Sequence, residues 1–286
     1  FDGIHLGHQY LIKKIIKNAQ SNNLKSAMLT FVPHPKVYFK RTNDNFNIMT
    51  NEDKKNFLNL LGVENYIEYK FNKTLSSLDA KSFIEKILVQ QLNIKKIVVG
   101  KDFRFGKDRK GDTKLLKKLS SKYGYKLLVI GDVKNKKTNI KFSSSTIRRH
   151  INEGSFEKVS QALGRNWFMR GKIIKGNQKA RLINFPTANM KPANHILPKK
   201  GVYCVSIKFM GYSYKGVANF GERPTVKGVN LLLETHIFEF TQNIYGKELT
   251  VEFLTFIRPE KKFKDFKSLT NQIKKDVIKA KKYHKI

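Results

Sequence analysis

The sequence contains a single cysteine, Cys204, among 286 residues. One cysteine cannot form an internal disulfide, so the composition fits a reducing environment, and we expect a cytoplasmic protein. Long apolar runs are also lacking. No segment approaches the ~20 apolar residues of a membrane span, and the first residues lack the apolar core of a signal peptide. The sequence therefore predicts no membrane partner.

Acidic residues and arginines are scarce as well. The chain has 22 Asp and Glu against 57 Lys and Arg, a formal net charge of +35, but only 10 of the basic residues are arginine. Clustered basic residues neutralise nucleic-acid phosphates, and sites that read bases favour arginine. Here the lysines are spread over nearly every segment. We therefore predict a lysine-rich surface that binds polyanions weakly, small-molecule partners and no specific nucleic acid; the oligomeric state stays open.

The first half of the sequence alternates helical and strand patterns. Apolar residues recur at helical spacing in some segments and form short buried runs in others. The predicted helices are 8–22, 51–61, 79–92 and 112–123, and the predicted strands are 26–31, 96–100 and 126–130. This alternation is typical of an open α/β sheet with helices on both faces.

After about residue 165 the pattern changes. Tyr203, Val205 and Ile207 alternate with small or charged residues, which is the period of a strand with one buried face. The predicted elements here are strands 202–209, 231–240 and 247–256 and helix 265–282. Several strands at short spacing predict an antiparallel barrel or sandwich. We expect two domains of different class, 1–164 and 165–286.

Two histidines flank a glycine just before the first predicted helix. His5, Gly7 and His8 stand in the sequence FDGIHLGH. A helix start presents unpaired N–H groups and the positive end of the helix dipole to a phosphate, and both imidazoles can donate to phosphoryl oxygens. For this motif alone, a role as polar groups at the helix start is an equal alternative. A zinc site is disfavoured because no nearby cysteine or third histidine completes the ligand set.

Two later segments extend the candidate phosphate site. GKDFRFG follows a predicted strand, where open sheets bind ligands, but its glycines are too far apart for a P-loop and Asp108 replaces the Ser or Thr. Ser143, Ser144 and Ser145 precede a helix, with Arg148 one turn later. Their hydroxyls, the N–H groups and the guanidinium would form a second phosphate cradle. The alternative is an ordinary serine N-cap.

FDGIHLGH, TFVPHP, VVGKDFRFG and SSSTIR, in this order and spacing, resemble the FMN adenylyltransferase module of the bacterial bifunctional riboflavin kinase/FAD synthetase family. The resemblance implies a Rossmann-like nucleotidyltransferase that moves AMP from ATP to FMN and releases pyrophosphate. It implies catalytic positions for His5 and His8 on the ATP phosphates, beside Gly7, Ser143, Ser144, Ser145 and Arg148. The residues it implies near the flavin are His34, Asp102, Phe103, Arg104 and Phe105. The family often has Thr where this chain has Ser145, and His34 alone is more often a satisfied loop histidine. Because the chain opens inside a motif and without methionine, we expect an upstream segment.

The second half carries a candidate metal site. Gly171 and Gly176 have the spacing of a P-loop, but Asn177 stands where the lysine should be. Thr187 and Asn189 alternate in FPTAN, so on an extended segment both side chains point the same way. Their hydroxyl and amide oxygens suit Mg²⁺ bound to ATP phosphates. Taken alone, this sequence is more often a turn.

Glu234 lies in a predicted strand of otherwise apolar character. A carboxylate is costly to bury there without a task or a partner. It could accept the proton of a substrate hydroxyl that attacks ATP. The alternative is an exposed glutamate on an edge strand, and His236 on the same face is taken as structural.

FPTAN, GVY, GVANFGERPT, the LE-x-H strand and the YGKEL…RPEKKF stretch resemble the riboflavin kinase module of the same family. The resemblance implies a six-stranded antiparallel barrel in which Thr187 and Asn189 bind Mg²⁺–ATP and Glu234 activates the ribityl 5′-hydroxyl. It also implies nucleotide contacts for Gly171, Gly176 and Arg181 and flavin contacts for Arg223 and Arg258. Ala180 and Asn184, which flank Arg181, replace glycines that family members usually have.

The resemblance spans residue 1 to about residue 280 and implies a bifunctional enzyme. Riboflavin and ATP would give FMN and ADP in the barrel, and FMN and ATP would give FAD and pyrophosphate in the first domain. Both steps would be assisted by Mg²⁺ and depend on positioning and charge stabilisation. Three alternatives remain open: a basic nucleic-acid-binding protein, an enzyme with one active site only, and a flavin-binding protein without turnover.

Overall fold

The computed structural model describes residues 1–42, 45–135, 138–175, 185–225 and 228–286. The contacts divide the chain into two compact units, Phe1–Ser143 and Ser144–Ile286. The helical segment 144–163 falls in the second unit, where it packs on strands of that unit. The domain boundary expected at 164/165 stays a prediction.

The elements of the two units follow in chain order. The helices are α1 (Leu6–Gln20), α2 (Pro35–Tyr38), α3 (Asn51–Leu60), α4 (Lys73–Ser77), α5 (Ala80–Ser82), α6 (Thr113–Tyr123), α7 (Ser144–Glu153), α8 (Phe156–Leu163) and α9 (Phe266–His284). A π-helical segment (Phe83–Gln91) continues α5, and a 3₁₀ turn spans Lys107–Arg109. The strands are β1 (Ala27–Val32), β2 (Asn65–Lys70), β3 (Lys96–Gly100), β4 (Lys126–Ile130), β5 (Trp167–Ile174), β6 (Ala188–Met190), β7 (Gly201–Phe209), β8 (Tyr212–Thr225), β9 (Gly228–Ile237) and β10 (Glu248–Pro259). Among these helices, none is long and apolar enough to cross a membrane.

The first unit contains parallel strands between helices, which confirms the predicted α/β class. Within the described residues the strands form two separate pairs, β1 with β2 and β3 with β4, instead of one continuous open sheet. Side chains join the pairs, because Leu29 and Phe31 of β1 pack on the same core cluster as Val99 of β3. The opposite face of β1 carries Met28, which packs with Ile4 and Ile12 of the α1 region. Apolar side chains therefore cover both faces of β1, although no strand hydrogen bonds join the two strand pairs within the described residues.

The second unit is a closed antiparallel barrel with strand order β10-β5-β6-β9-β8-β7. This result decides between the barrel and the sandwich and confirms the six strands that the resemblance implies. Trp167, Tyr203 and Phe253 fill the interior, and Phe156 of α8 packs against all three rings. The aromatic contacts explain why α8 belongs with the barrel.

The C-terminal helix α9 covers part of the barrel's outer surface. Val202 and Cys204 of β7 pack there in one cluster with Val277 and Ala280 of α9. The Cys204 thiol donates to the Ala280 carbonyl oxygen at 3.8 Å, and burial raises the pKa of this thiol to about 12. The barrel and α9 thus share a second apolar layer outside the strands.

Candidate functional site

The two histidines of the first motif meet at the start of α1. His5 is the N-cap residue, and its Nδ1 accepts the backbone N–H of His8 at 3.3 Å. The His5 and His8 rings stack with their centroids 3.6 Å apart. Gly7 leaves room for this arrangement, because a Cβ there would lie 3.1 Å from the His5 ring and 3.3 Å from Phe142. The structure therefore brings His5, Gly7 and His8 together, as the motif predicts.

The segment before α1 is fixed by a buried carboxylate. Both oxygens of Asp2 accept the backbone N–H of Ile48, at 3.0 and 2.9 Å. Asp2 and His5 are both 5% exposed. Asp2 fixes the segment before α1, and His5 caps the first turn of the helix. A helix start that is fixed by these hydrogen bonds and partly shielded from water is suited to hold an anion in one position.

The electrostatics of the pair favour a neutral ring at His8. Burial lowers the pKa of His8 well below its ordinary value, and the nearby His5 lowers it further. The Nδ1 atom of His8 is buried and has no hydrogen-bond partner within the described part of the chain. A buried ring nitrogen without a partner costs free energy unless a ligand supplies one.

The residues expected near the flavin lie in different environments. His34 caps the short α2, where its Nδ1 accepts the Lys36 N–H at 3.1 Å. Asp102 is exposed and pairs with Lys141 at 2.5 Å. Phe105 is 6% exposed and belongs to the hydrophobic core of the first unit, and Phe103 stacks on it at 5.4 Å between ring centroids. Phe105 thus has a core function in this structure, and a flavin contact for these residues stays a prediction.

Five further residues of the first predicted site are Arg104, Ser143, Ser144, Ser145 and Arg148. Arg104 is exposed, and its Nη1 donates to the Phe103 carbonyl oxygen at 3.1 Å. Ser143 ends the first unit, whereas α7 begins at Ser144 and carries the exposed Ser145 and the half-buried Arg148. Ser143 precedes the helix, whereas Ser144 and Ser145 lie in its first turn, so the expectation that all three serines precede it is wrong. Their phosphate role stays a prediction.

In the barrel, strand register brings the candidate metal ligand and the candidate base together. Asn189 of β6 pairs directly with Glu234 of β9, and Glu234 pairs with Asn219 of β8 on its other side. Residues directly opposite each other on neighbouring strands project to the same face. An amide, a carboxylate and a second amide therefore lie side by side on the sheet. Asn219 was not singled out from the sequence.

Arg223 binds the Glu234 carboxylate. Its Nε donates to Glu234 Oε2 at 3.0 Å and its Nη2 donates to the same oxygen, while Nη1 donates to Glu260 Oε1 at 3.0 Å. Burial alone would lower the pKa of Arg223, but its hydrogen bonds to the two carboxylates raise it overall. Glu234 is thus partly buried, ion-paired and on a strand of a closed barrel, so it is not the exposed glutamate of an edge strand.

Thr187 and Asn189 form the candidate Mg²⁺ site. Asn189 is 5% exposed, and its Nδ2 donates to the Thr187 carbonyl oxygen at 3.5 Å. The amide oxygen is left as the acceptor end of this buried side chain, and a hydroxyl with an amide oxygen is the hard donor set that Mg²⁺ prefers. The residues therefore fit the ion.

A histidine fixes the segment that carries Thr187. His236 Nδ1 and the Pro186 carbonyl oxygen are 2.9 Å apart. Because a carbonyl can only accept, Nδ1 holds the proton in this hydrogen bond. Burial lowers the pKa of His236. The structure thus supports the structural reading of His236, which ties the FPTAN segment to β9.

Of the remaining expected residues, Gly171 and Arg258 are described, and each is held by contacts of another kind. Gly171 lies on β5, where a Cβ would come within 2.8 Å of the Met190 sulfur, so close packing requires the glycine. Arg258 donates hydrogen bonds to Asp276 of α9. Its Nε lies 3.0 Å from both carboxylate oxygens, and its Nη2 lies 2.7 Å from Oδ2. Gly176 and Arg181 lie outside the described residues. Nucleotide and flavin contacts for these four stay predictions.

Comparison with known proteins divides the chain in a similar way. Residues 1–146 match the family described as FAD synthetase, and residues 163–284 match the family described as riboflavin kinase. The chain is 38% identical over 285 residues to the bifunctional riboflavin kinase/FMN adenylyltransferase of Haemophilus influenzae, with 99% of this chain and 92% of that protein covered. It is 37% identical over 289 residues to the protein of the same description from Bacillus subtilis, with 99% and 90% covered. A solved structure from Streptococcus pneumoniae, described as a macrolide-efflux protein, is similar with a TM-score of 0.85 and 31% identity, over 96% of this chain and 90% of that one.

Proposed function

Because the chain belongs to the family of bifunctional riboflavin kinase/FMN adenylyltransferases, we propose that its two activities use two separate sets of residues, one in each half. The enzyme phosphorylates riboflavin to FMN with ATP and then transfers AMP from ATP to FMN, which gives FAD and pyrophosphate. We assign the first reaction to the Glu234 face of the barrel and the second to the start of α1.

The cross-strand pairing of Asn189 with Glu234 is the observation that carries the kinase assignment. In this proposal Glu234 accepts the proton of the ribityl 5′-hydroxyl while that oxygen bonds to the γ-phosphorus and ADP departs. Arg223 holds the carboxylate before substrate arrives, since two of its nitrogens donate to the same oxygen. The distance between the base Glu234 and the candidate Mg²⁺ ligand Asn189 is thus set by strand pairing before substrate binds.

Thr187 and Asn189 are the residues that would hold Mg²⁺ in the barrel. When bound, the ion neutralises charge on the ATP phosphates. The hydrogen bond between His236 and Pro186 keeps the Thr187 segment next to β9, and the burial of Asn189 limits the motion of its amide. These contacts orient the two oxygen donors before ATP binds.

At the start of α1, His5 and His8 stabilise the charge of the ATP phosphates during AMP transfer. A neutral imidazole has one N–H and one lone pair, and the lowered pKa of His8 makes the neutral ring the form present near pH 7. In the tautomer protonated at Nδ1, this buried N–H, which has no hydrogen-bond partner among the described residues, would donate to a phosphoryl oxygen. The backbone N–H groups of the first turn add donors of the same kind.

We place the enzyme in the cytoplasm, with small molecules as its partners and no specific nucleic acid. The single cysteine is a buried thiol under α9, which agrees with a reducing compartment. The lysines are distributed over the sequence, and arginines are few. The even distribution of lysines and the scarcity of arginines support a solvated basic surface that does not read nucleic-acid sequence.

The test is chromatography of flavins after the purified chain is incubated with riboflavin, ATP and Mg²⁺. The proposal expects FMN to accumulate first and FAD to follow. A parallel reaction that starts from FMN isolates the second step. FMN without FAD in both reactions would remove the adenylyltransferase half of the proposal, and unchanged riboflavin would remove the kinase half.

A further inference from the structure

The Glu234 carboxylate shares its arginine with a second carboxylate from a different part of the barrel. Glu260 lies in the segment that follows β10, whereas Glu234 lies on β9 and Arg223 on β8. The guanidinium of Arg223 donates to Glu234 through one side and to Glu260 through Nη1. Nη1 also donates to the Glu222 carbonyl oxygen at 2.8 Å. The arginine therefore has fixed partners at both ends.

Gly221 provides the space that Glu260 occupies. A Cβ at position 221 would lie 2.1 Å from Glu260 Oε1 and 2.6 Å from Oε2, which no real side chain allows. Gly221 is two residues before Arg223 on β8, so both positions project to the same face of the strand. The glycine lets the Glu260 carboxylate approach the strand backbone beside the guanidinium.

The three charged side chains are partly shielded from water. Their side-chain exposures are 33% for Arg223, 26% for Glu234 and 31% for Glu260. When Glu234 takes up a proton, Arg223 loses the charge of one of its two carboxylate partners. The contact of Glu260 with Nη1 then keeps the guanidinium in place beside Glu234 for the next turnover.

We propose that Glu260 is a positioning residue of the kinase reaction, which fixes the orientation of the Glu234 carboxylate through Arg223. This inference rests on the proposed role of Glu234 as the base. It assigns to Glu260 no contact with substrate and no proton transfer of its own.

The test measures kcat and KM for FMN formation in the full-length chain with Glu260→Gln. Glu222→Gln is the matched control, because Glu222 neighbours Arg223 in sequence but its carboxylate pairs with Lys200 on the surface. We expect Glu260→Gln to lower kcat about three- to tenfold while the KM for riboflavin and for ATP changes by less than about twofold. Glu222→Gln should leave both parameters unchanged.

Two further variants separate positioning from folding. Gly221→Ala keeps every charge but displaces the Glu260 carboxylate, so it should reproduce the loss of kcat seen with Glu260→Gln. In an Arg223→Gln background, Glu260→Gln should have no further effect, because its action passes through the arginine. The emission of Trp167, which is buried in the barrel core, shows whether the barrel of each variant is folded.

Wild-type kcat for Glu260→Gln, or an equal loss of kcat in the Arg223→Gln background, would overturn the inference while leaving the proposed function intact. If Glu234→Gln retains wild-type FMN formation, the base assignment itself fails. The two failures are therefore distinguishable in one set of measurements.

Discussion

The ion pair between Arg258 and Asp276 is expected to be the strongest single polar contact between α9 and the barrel. The two side chains are only 12% and 4% exposed, and Arg258 donates to both carboxylate oxygens at 2.7 to 3.0 Å. Gln272 also donates to Asp276 Oδ1 at 2.9 Å. Removal of one partner of a buried pair leaves an uncompensated charge, which costs about 3–5 kcal/mol.

We therefore expect Asp276→Ala to lower the free energy of unfolding of the barrel half by about 3–5 kcal/mol. The double substitution of Arg258→Met with Asp276→Leu should restore most of this loss, because no buried charge remains. As a control, the exposed pair Arg149–Glu153, 66% and 52% exposed at 3.9 Å, should contribute less than about 1 kcal/mol.

Urea denaturation followed by tryptophan fluorescence measures this effect. Trp167 is the single tryptophan of the chain and is buried in the barrel core, so its emission reports on the second unit. Loosening of α9 should also expose Cys204 to a thiol reagent, since Ala280 lies over its sulfur. A loss below about 1 kcal/mol for Asp276→Ala, with Cys204 still protected, would refute the reasoning.

Three other predictions concern single residues. The pKa of His8 is lowered in the folded state, so acidification below about pH 6.5 should reduce the free energy of unfolding by up to about 1.4 kcal/mol per pH unit until the folded pKa is passed. Thermal unfolding measured against pH should show a shallower pH dependence of stability for His8→Gln, and the same pH dependence as wild type would contradict the assignment. Cys204 should react with a thiol reagent at pH 8 only as fast as α9 opens, because burial raises its pKa to about 12, so rapid labelling of the native protein would disprove its burial. Gly106→Ala should destabilise the first unit by more than about 1 kcal/mol, because φ is +71° and a Cβ would lie 2.7 Å from the Ala80 backbone; unchanged urea unfolding followed by circular dichroism would contradict this.

Strong local patterns in the sequence predict much of the fold. The helical stripe of the first predicted helix and the alternation in 202–209 correspond to α1 and β7 within a few residues. Strand β2 was missed because half-buried and exposed residues follow one another in it, and it is defined by its pairing with β1. The three-residue β6 is too short for any periodicity and exists because β5 and β9 bond to it on both sides.

The candidate sites divide in the same way. The contiguous motifs single out His5, His8, Asn189 and Glu234 as candidates, but the spatial neighbours of these residues depend on strand register and on loop contacts. No sequence pattern pairs Arg223 of β8 with Glu260 in the segment that follows β10. One signal was available and unused: Asp276 is the single acidic residue of α9, and a lone carboxylate among lysines on a helix that packs on a core indicates a buried partner.

The most direct test of two separate sites is the pair of reactions catalysed by Glu234→Gln. With riboflavin, ATP and Mg²⁺, we expect FMN formation to fall by at least about a hundredfold, the usual contribution of a general base. With FMN supplied instead, formation of FAD should stay within about twofold of the wild-type rate, because the start of α1 is unchanged. Equal loss of both activities in a folded variant, or FMN formation at the wild-type rate, would contradict the account.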